Sequence, residues 1–263
     1  MHHRAELEFL QTLIPVLYAK TETRETEISY KQKCEIVTSS DLFLEAEFAK
    51  AVRERFPGDR IHGEEYHRET LLEGRTWLID PIDGTSNYAH GLDLFVIQIA
   101  LTEAGQTVLS YVYAPKLKKT YHALLGEGAF LNGERISVCR EGDPRNRLMT
   151  MVGLTHRAET DKTDFLRMIA FSQKSGIKTR ILGTMGLEMA LLAEGVFVLL
   201  FTDVTNLWDV APGCLLVKEA GGILLNRAGQ PYSLGDSHLI ALADETLAEA
   251  VFTHLNAPDP REN

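Results

Sequence analysis

Residues 78–91 read LIDPIDGTSNYAHG, with two carboxylates, Asp80 and Asp83, set around Pro81 directly ahead of Gly84-Thr85-Ser86. A turn that holds an anion ordinarily avoids carboxylates, so this juxtaposition calls for a cation between the two. Gly84 lets the backbone approach a ligand closely, and Thr85 and Ser86 offer hydroxyls and N–H groups at a helix start, a seat for phosphate. The chemistry that uses both features is metal-assisted hydrolysis of a phosphate ester. Mg²⁺ takes hard oxygen ligands from a few carboxylates and keeps several waters. Two ions about 3.5–4 Å apart can clamp both the attacking and the leaving oxygen. Such a site gathers carboxylates from separate segments, and candidates stand at Asp41 after VTSS, Glu64-Glu65 in HGEEYH, Asp80, Asp83, and Asp209 in LWDVAPG. Taken alone, Asp41 reads as a helix cap and Glu64-Glu65 as a solvated pair. Asp80 and Asp83 resist a bland reading, because Asp80 ends the apolar run TWLID and Pro81 stops the ladder there.

The elements that must position these groups show in the hydrophobic pattern. Leu7, Leu10, Leu13, Ile14 and Leu17 share one helical face, which Pro15 should bend or interrupt. A second helix is expected from Ser39-Ser40-Asp41, which supply its capping, with Leu44, Phe48, Ala51 and Val52 inward and an end before Pro57-Gly58. From 94 to 138, LFVIQIAL, TVLSYVYA, KKTYHALL and GAFLNGERISV alternate with turn residues, the pattern of an antiparallel meander. EGDPRN at 141–146 marks a boundary between subdomains 1–142 and 143–263. Beyond it, strands in RLMTMVGL, IKTRILG, VFVLLF, GGILLN and HLIALA alternate with helices near 161–174, 185–194, 209–220 and 244–255, an α/β arrangement. Asp209 falls early in one of these helices. Pro212 then fits its first turn, Gly221-Gly222 its end, and Trp208 reads as a packing anchor. The tail NAPDPREN is expected to fray.

Composition narrows the function classes. With 263 residues, 44% hydrophobic and 24% charged, the chain can bury a sizeable core. A formal net charge of −10 without a basic block argues against nucleic acid or an anionic membrane as partner, and leaves bound cations to attract an anionic substrate. No apolar run approaches the roughly 18 residues of a membrane span, and the charged N-terminal segment does not look like a secretory signal. Cys34, Cys139 and Cys214 form neither a disulfide framework nor a zinc pattern, as expected of reduced thiols in a cytoplasmic protein.

WLIDPIDGTSNY, with GEE upstream and LWDVAPGCLLVKEAGG downstream, resembles the inositol monophosphatase family of Mg²⁺-dependent, lithium-sensitive phosphatases. EIVTSSD, GEGAFLNGE and GTMGLEMALLAEG follow the same order, so the likeness covers most of the chain. It implies a layered αβαβα sandwich of the inositol monophosphatase and fructose-1,6-bisphosphatase type, with the site between an N-terminal α+β part and a C-terminal α/β part. It implies two to three Mg²⁺ ions: one held by Glu64, Asp80 and the Ile82 carbonyl, a second by Asp80, Asp83 and Asp209, and a weaker third, or its water, oriented by Glu65. Asp41 and Thr85 would help activate the attacking water. Gly84 and Thr85 would donate N–H bonds to the phosphate, beside Ser86. Gly183, Thr184, Met185 and Thr202 would lie near the alcohol. Family relatives commonly dimerise, so a homodimer acting on a small phosphorylated metabolite is implied.

Substrates within that family include inositol phosphates, fructose 1,6-bisphosphate, adenosine bisphosphates, histidinol phosphate and NADP phosphate. Its better-known inositol enzymes carry a glutamate seven residues before the aspartate of the second block. Here that position is Thr202, with Asp203 next to it, and bulky Met185 follows Gly183-Thr184 where a small residue is expected. Both changes weigh against strict selection of inositol 1-phosphate. Lys33 and Glu35 replace the Pro and Asp usual in the 29–37 flap. Lys31, Lys33, Arg157 and Arg180 could each meet an anion but read individually as solvated charges. A sugar or nucleotide phosphatase, including a fructose-1,6-bisphosphatase, is the rival enzyme reading. The rival of another class is a catalytically silent metal- or phosphate-sensing protein.

Overall fold

Leu7, Leu10, Ile14 and Leu17 are all buried along α1 (Arg4–Thr21), as their spacing requires. The computed structural model describes residues 3–30, 36–66, 74–139, 147–153 and 162–257; Lys31, Lys33, Cys34, Glu35, the 141–146 boundary, Arg157 and the tail from 258 lie outside the described residues. Pro15 does not interrupt α1. Its missing N–H deprives only the carbonyl of Gln11, an exposed residue that water can satisfy. β1 (Ile28–Tyr30) and β2 (Ile36–Thr38) pair antiparallel and lead into α2 (Ser39–Arg55). The N-cap of α2 is Thr38 rather than one of the serines, and Asp41 closes a capping box with it.

Seven strands follow in chain order across the first sheet: β3 (Arg60–Gly63), β4 (Arg75–Asp83), β5 (Val96–Glu103), β6 (Gln106–Ala114), β7 (Lys119–Leu124), β8 (Gly128–Leu131) and β9 (Glu134–Ile136). β3 and β4 run parallel, and every later pair is antiparallel, the expected meander. Pro81 does not end β4. The strand continues through a bulge, since Asp80 pairs with Gln98 and Asp83 with Val96. Three steps on one strand thus oppose two on its neighbour. In an unbroken strand, residues three apart point to opposite faces; the extra residue returns Asp83 to the face of Asp80.

Trp77, Ile79, Ile97, Ile99 and Leu101 pack against Leu10, Ile14, Leu44 and Phe48 of α1 and α2. The alternate residues Leu78 and Ala100 face Ala211 on the other side. That side belongs to α5 (Met185–Ala193) and α6 (Leu207–Glu219), which lie between the first sheet and a second one. The second sheet has the order β11 (Lys178–Arg180), β10 (Leu148–Val152), β12 (Phe197–Thr202), β14 (Leu239–Leu242), β13 (Ile223–Leu225), with β10 parallel to both neighbours and β14 antiparallel to both of its own. α4 (Thr163–Ser175) and α7 (Thr246–Leu255) cover its outer face through Phe165, Met168, Phe171, Val251 and Leu255. The layers are α, β, α, β, α. Pro212 departs from expectation: α6 begins at Leu207, so the proline lies inside the helix, and its carbonyl accepts the Ser110 hydroxyl at 2.7 Å.

Candidate active site

The bulge in β4 and the start of α6 bring three aspartates together. Asp80 points toward α6 on the face of Leu78, is 2% exposed, and accepts the Ile82 amide at 3.1 Å. Asp209, in the first turn of α6, accepts the side-chain amide of Asn206 at 2.8 Å. Asp83 is 8% exposed and takes three donors from the start of α5: the Thr184 hydroxyl at 2.8 Å, the Met185 amide at 3.1 Å and the Gly186 amide at 2.5 Å. Thr184 does not cap α5 with its own side chain. A carboxylate from the other sheet does so, where the helix dipole favours negative charge.

α2 supplies the next carboxylates. Asp41 is buried, and its Oδ2 accepts the Thr38 amide at 2.8 Å in the capping box. Its Oδ1 faces the Thr85 hydroxyl at 3.4 Å, so the capping and catalytic readings fall on different oxygens of one side chain. The Thr85 hydroxyl lies closer, at 2.8 Å, to the Ile82 carbonyl. One turn after Asp41, Glu45 is fully buried and accepts the amides of Glu65 and Tyr66 at 2.7 and 2.9 Å. Glu64 and Glu65 themselves are half-buried at the end of β3. The His62 ring lies 5.2 Å from that of Trp208, tilted by 36°, which gives Trp208 the expected packing contact beside Asp209.

Gly84 adopts a left-handed φ of 91°, and a Cβ there would stand 3.0 Å from the Leu94 carbonyl oxygen. It opens α3 (Thr85–Ala89), whose first amides have no acceptor within so short a helix. Asn87 donates to the carbonyls of Leu94 and Leu182 at 2.7 and 2.8 Å, tying α3 to the exposed turn at Gly183. The residues expected at the alcohol are differently disposed. Met185 is 2% exposed and belongs to the core; Thr202 is fully buried, its hydroxyl accepting the Val204 amide at 2.9 Å. Asp203 stays half-exposed and pairs with Lys162 at 3.2 Å, while the same ammonium donates to the Gly153 carbonyl at 2.9 Å. Sequence reasoning missed Glu45, Asn87, Lys162 and the buried Glu188 of α5, which accepts the Leu182 amide at 2.7 Å. The four-residue spacing of Asp41 and Glu45 on one helix was the available signal for the first.

Electrostatically the cluster is unbalanced. Burial, then the charges of Glu64, Asp83, Asp209 and Asp41, hold the Asp80 carboxyl well above the usual range. Asp209 is raised by desolvation and then by Glu64 and Asp83. Asp83 is pushed up to about 6 by burial, against the pull of Thr184, Gly186 and Met185. The strongest charges acting on Asp80 are all negative, so the donor set fits hard divalent cations. Among the described residues no three His, Cys, Asp or Glu side chains converge closely enough to hold a metal ion, so the fit to a cation rests on the charge of the cluster. Mg²⁺ needs only one or two carboxylates and keeps its waters.

Comparison with known proteins identifies the family. A model of the inositol monophosphatase family matches residues 5–257. A fructose-1,6-bisphosphatase/inositol-1-monophosphatase of Thermotoga maritima is 35% identical over 221 residues, covering 83% of this chain and 80% of its own. The structure of a Thermotoga maritima IMPase aligns with a TM-score of 0.84 at 30% identity, over 96% of this chain and 97% of that one. An IMPase/NADP phosphatase solved with Mg²⁺ and phosphate shares the fold at a TM-score of 0.82 and 22% identity, over 97% and 95% of the two chains. With its bulged DPIDGT strand, its aspartate at the head of α6 and a family match along nearly its whole length, the chain belongs to the inositol monophosphatase family.

Proposed function

We propose that this chain hydrolyses monoesters of phosphate on small polyols or sugars, with two to three Mg²⁺ ions, at the junction of β4, α2 and α6. The observation that carries the reading is the group formed by buried Asp80 and Asp83 with the half-buried Asp209 and Glu64, whose mutual repulsion calls for cations. The Mg²⁺–phosphate complex of the IMPase/NADP phosphatase supports the same choice. Glu64, Asp80 and the Ile82 carbonyl would hold one ion; Asp80, Asp83 and Asp209 would hold another, with Glu65 beside a third. When bound, the ions would neutralise developing charge and lower the pKa of water.

The chain's own groups do the rest. Gly84 and the first amides of α3, with Thr85 and Ser86, would bind and orient the phosphate. Asp41 Oδ1 would accept a proton relayed through the Thr85 hydroxyl as the attacking water's oxygen forms its bond to phosphorus. The ester P–O bond would break in line, and the alcohol would leave protonated by solvent. For this, Thr85 must turn its proton from the Ile82 carbonyl toward Asp41. A homodimer in the cytoplasm completes the proposal, supported by family habit; among the described residues no helix is long and apolar enough to cross a membrane. Purified protein should release phosphate from such esters only with Mg²⁺, and lithium should inhibit it. No Mg²⁺-dependent release across a sugar and nucleotide phosphate panel would reject the reading.

Burial of Met185 and Thr202 favours a second reading, a broader sugar or nucleotide phosphatase. Comparing kcat/KM for inositol 1-phosphate, fructose 1,6-bisphosphate, 3′-phosphoadenosine 5′-phosphate and NADP separates the two.

A further inference from the structure

Glu45, like Asp83, gives both carboxylate oxygens to main-chain amides, but the segment it holds carries two of the candidate ligands. It stands one turn beyond Asp41 on α2, fully buried, and both of its oxygens accept main-chain amides: Oε2 that of Glu65 at 2.7 Å, Oε1 that of Tyr66 at 2.9 Å. The segment it grips begins where β3 ends, at Gly63, and contains Glu64 and Glu65. Gly63 has been fitted to this grip. A Cβ there would overlap the Glu45 carboxyl group, lying 2.5 and 2.7 Å from its oxygens. On its other side the Glu64 amide reaches the Ile79 carbonyl at 3.3 Å.

We propose that Glu45 is a positioning residue: its carboxylate clamps the Glu65 and Tyr66 amides and thereby sets the Glu64 and Glu65 side chains against Asp80. The inference rests on the reading of Glu64 and Glu65 as Mg²⁺ ligands and adds the part that aims them. The physical logic is that a loop alternates among many conformations, and a metal must order whatever the fold leaves loose. A buried carboxylate holding two amides removes that freedom beforehand. Two charge-assisted hydrogen bonds are the strongest restraint a side chain offers a neighbouring backbone. α2 therefore serves the site twice. Asp41 reaches toward Thr85, and Glu45 reaches toward the 64–66 segment.

The test is Glu45→Gln, which keeps the shape but turns an amino group toward one of the two donors. Mg²⁺ binding to the protein, followed by calorimetry without substrate, should weaken roughly ten- to a hundredfold, the loss expected for a hydrogen bond to a charged group. kcat at saturating Mg²⁺ should stay within about threefold, because no reacting atom is touched. Gly63→Ala displaces the same carboxylate without removing its charge. It should weaken Mg²⁺ similarly, and the double variant should fall short of the sum. Amide exchange of Glu65 and Tyr66 in Mg²⁺-free protein reads the clamp directly, whether or not the metal reading holds. Slow exchange in the wild type, lost in Glu45→Gln, is the expected result. Fast exchange of both amides in the wild type overturns the proposal even should the variants fail to fold. Unchanged Mg²⁺ affinity in a folded Glu45→Gln protein overturns it too.

Discussion

Asp83 commits both oxygens to the start of α5 and still belongs to the acidic cluster, so one carboxylate serves as helix cap and as candidate ligand. Asp80 and Asp209 are less well served by hydrogen bonds, and desolvation pushes both upward. In Mg²⁺-free protein near neutral pH these carboxylates therefore oppose folding. Asp80→Asn and Asp209→Asn keep the accepting oxygen used by Ile82 or Asn206 while removing the charge. Each should abolish Mg²⁺-dependent turnover yet raise the metal-free melting temperature by a few degrees. Circular dichroism melts beside a phosphate-release assay would check both halves; normal turnover in either variant would reject the two-metal assignment. Thr202 supplies the converse case. It occupies the sequence position of a glutamate in the better-known inositol enzymes, but here it is fully buried against its own turn. Thr202→Glu should lower stability by roughly 2 kcal/mol or more by burying a carboxylate. It should not raise kcat/KM for inositol 1-phosphate, and a gain in that ratio would mean that the side chain reaches the alcohol after all.

At the scale of elements, α5 is held at both ends of its first turn by carboxylates, Asp83 from outside and Glu188 from within. Glu188 is fully buried; Oε1 accepts the Leu182 amide at 2.7 Å and the Thr150 hydroxyl, while Oε2 meets no donor in hydrogen-bond geometry among the described residues. Burial pushes its pKa to about 7 from 4.5, more than Thr150 and Leu182 pull it down. The folded state therefore retains a proton that the unfolded chain releases, and stability falls as pH rises from about 4.5 to about 7. Without Mg²⁺, the melting temperature of Glu188→Gln should fall less over that window than that of the wild type; parallel curves would show that Glu188 does not titrate there. Such elements were legible in the sequence to different depths. The meander and the α/β alternation follow from periods of 2 and 3.6 in LFVIQIAL, TVLSYVYA and LWDVAPGCLL, where burial decides the pattern. The cluster was legible because Asp80 and Asp83 flank a proline beside Gly-Thr-Ser. Pro81 itself was misread: a bulge satisfies the ladder around a proline as well as a strand end does, and only pairing with β5 distinguishes them. Pro15 and Pro212 were misplaced for a related reason, since tertiary packing holds a helix that local propensity would break. Asn87, Lys162 and Glu188 act across 30 or more residues to Leu182, Asp203 and Thr150, and no local pattern records such partners.

Over the whole molecule, the acidic cluster sits where the first sheet meets the middle helices, with Asp80 and Asp83 from β4, Glu64 just past β3 and Asp209 from α6. The same junction is held by apolar packing. Val96, Val112, Tyr121 and Ala129 of the first sheet share one cluster with Met189, Leu192, Val210 and Leu216 of the middle helices and with Leu199 and Phe201 of the second sheet. The first sheet and the layers packed on this face of it thus share one core at their contact, and unfolding either would expose the other. Like charge pushes at the rim of this interface while hydrophobic burial pulls at its centre. A cation at the rim would remove the opposition and strengthen both parts at once. Scanning calorimetry should accordingly record a single transition with and without Mg²⁺. At a concentration about a hundred times its dissociation constant the ion should add about 2.7 kcal/mol. For a chain of this size that moves the transition upward by about 5–10 °C. Asp209→Asn should lose most of the Mg²⁺ shift while keeping the single transition, because the apolar cluster is untouched. Two resolved peaks, or a Mg²⁺ shift confined to one of them, would instead mean that the halves are joined by the metal and not by the core.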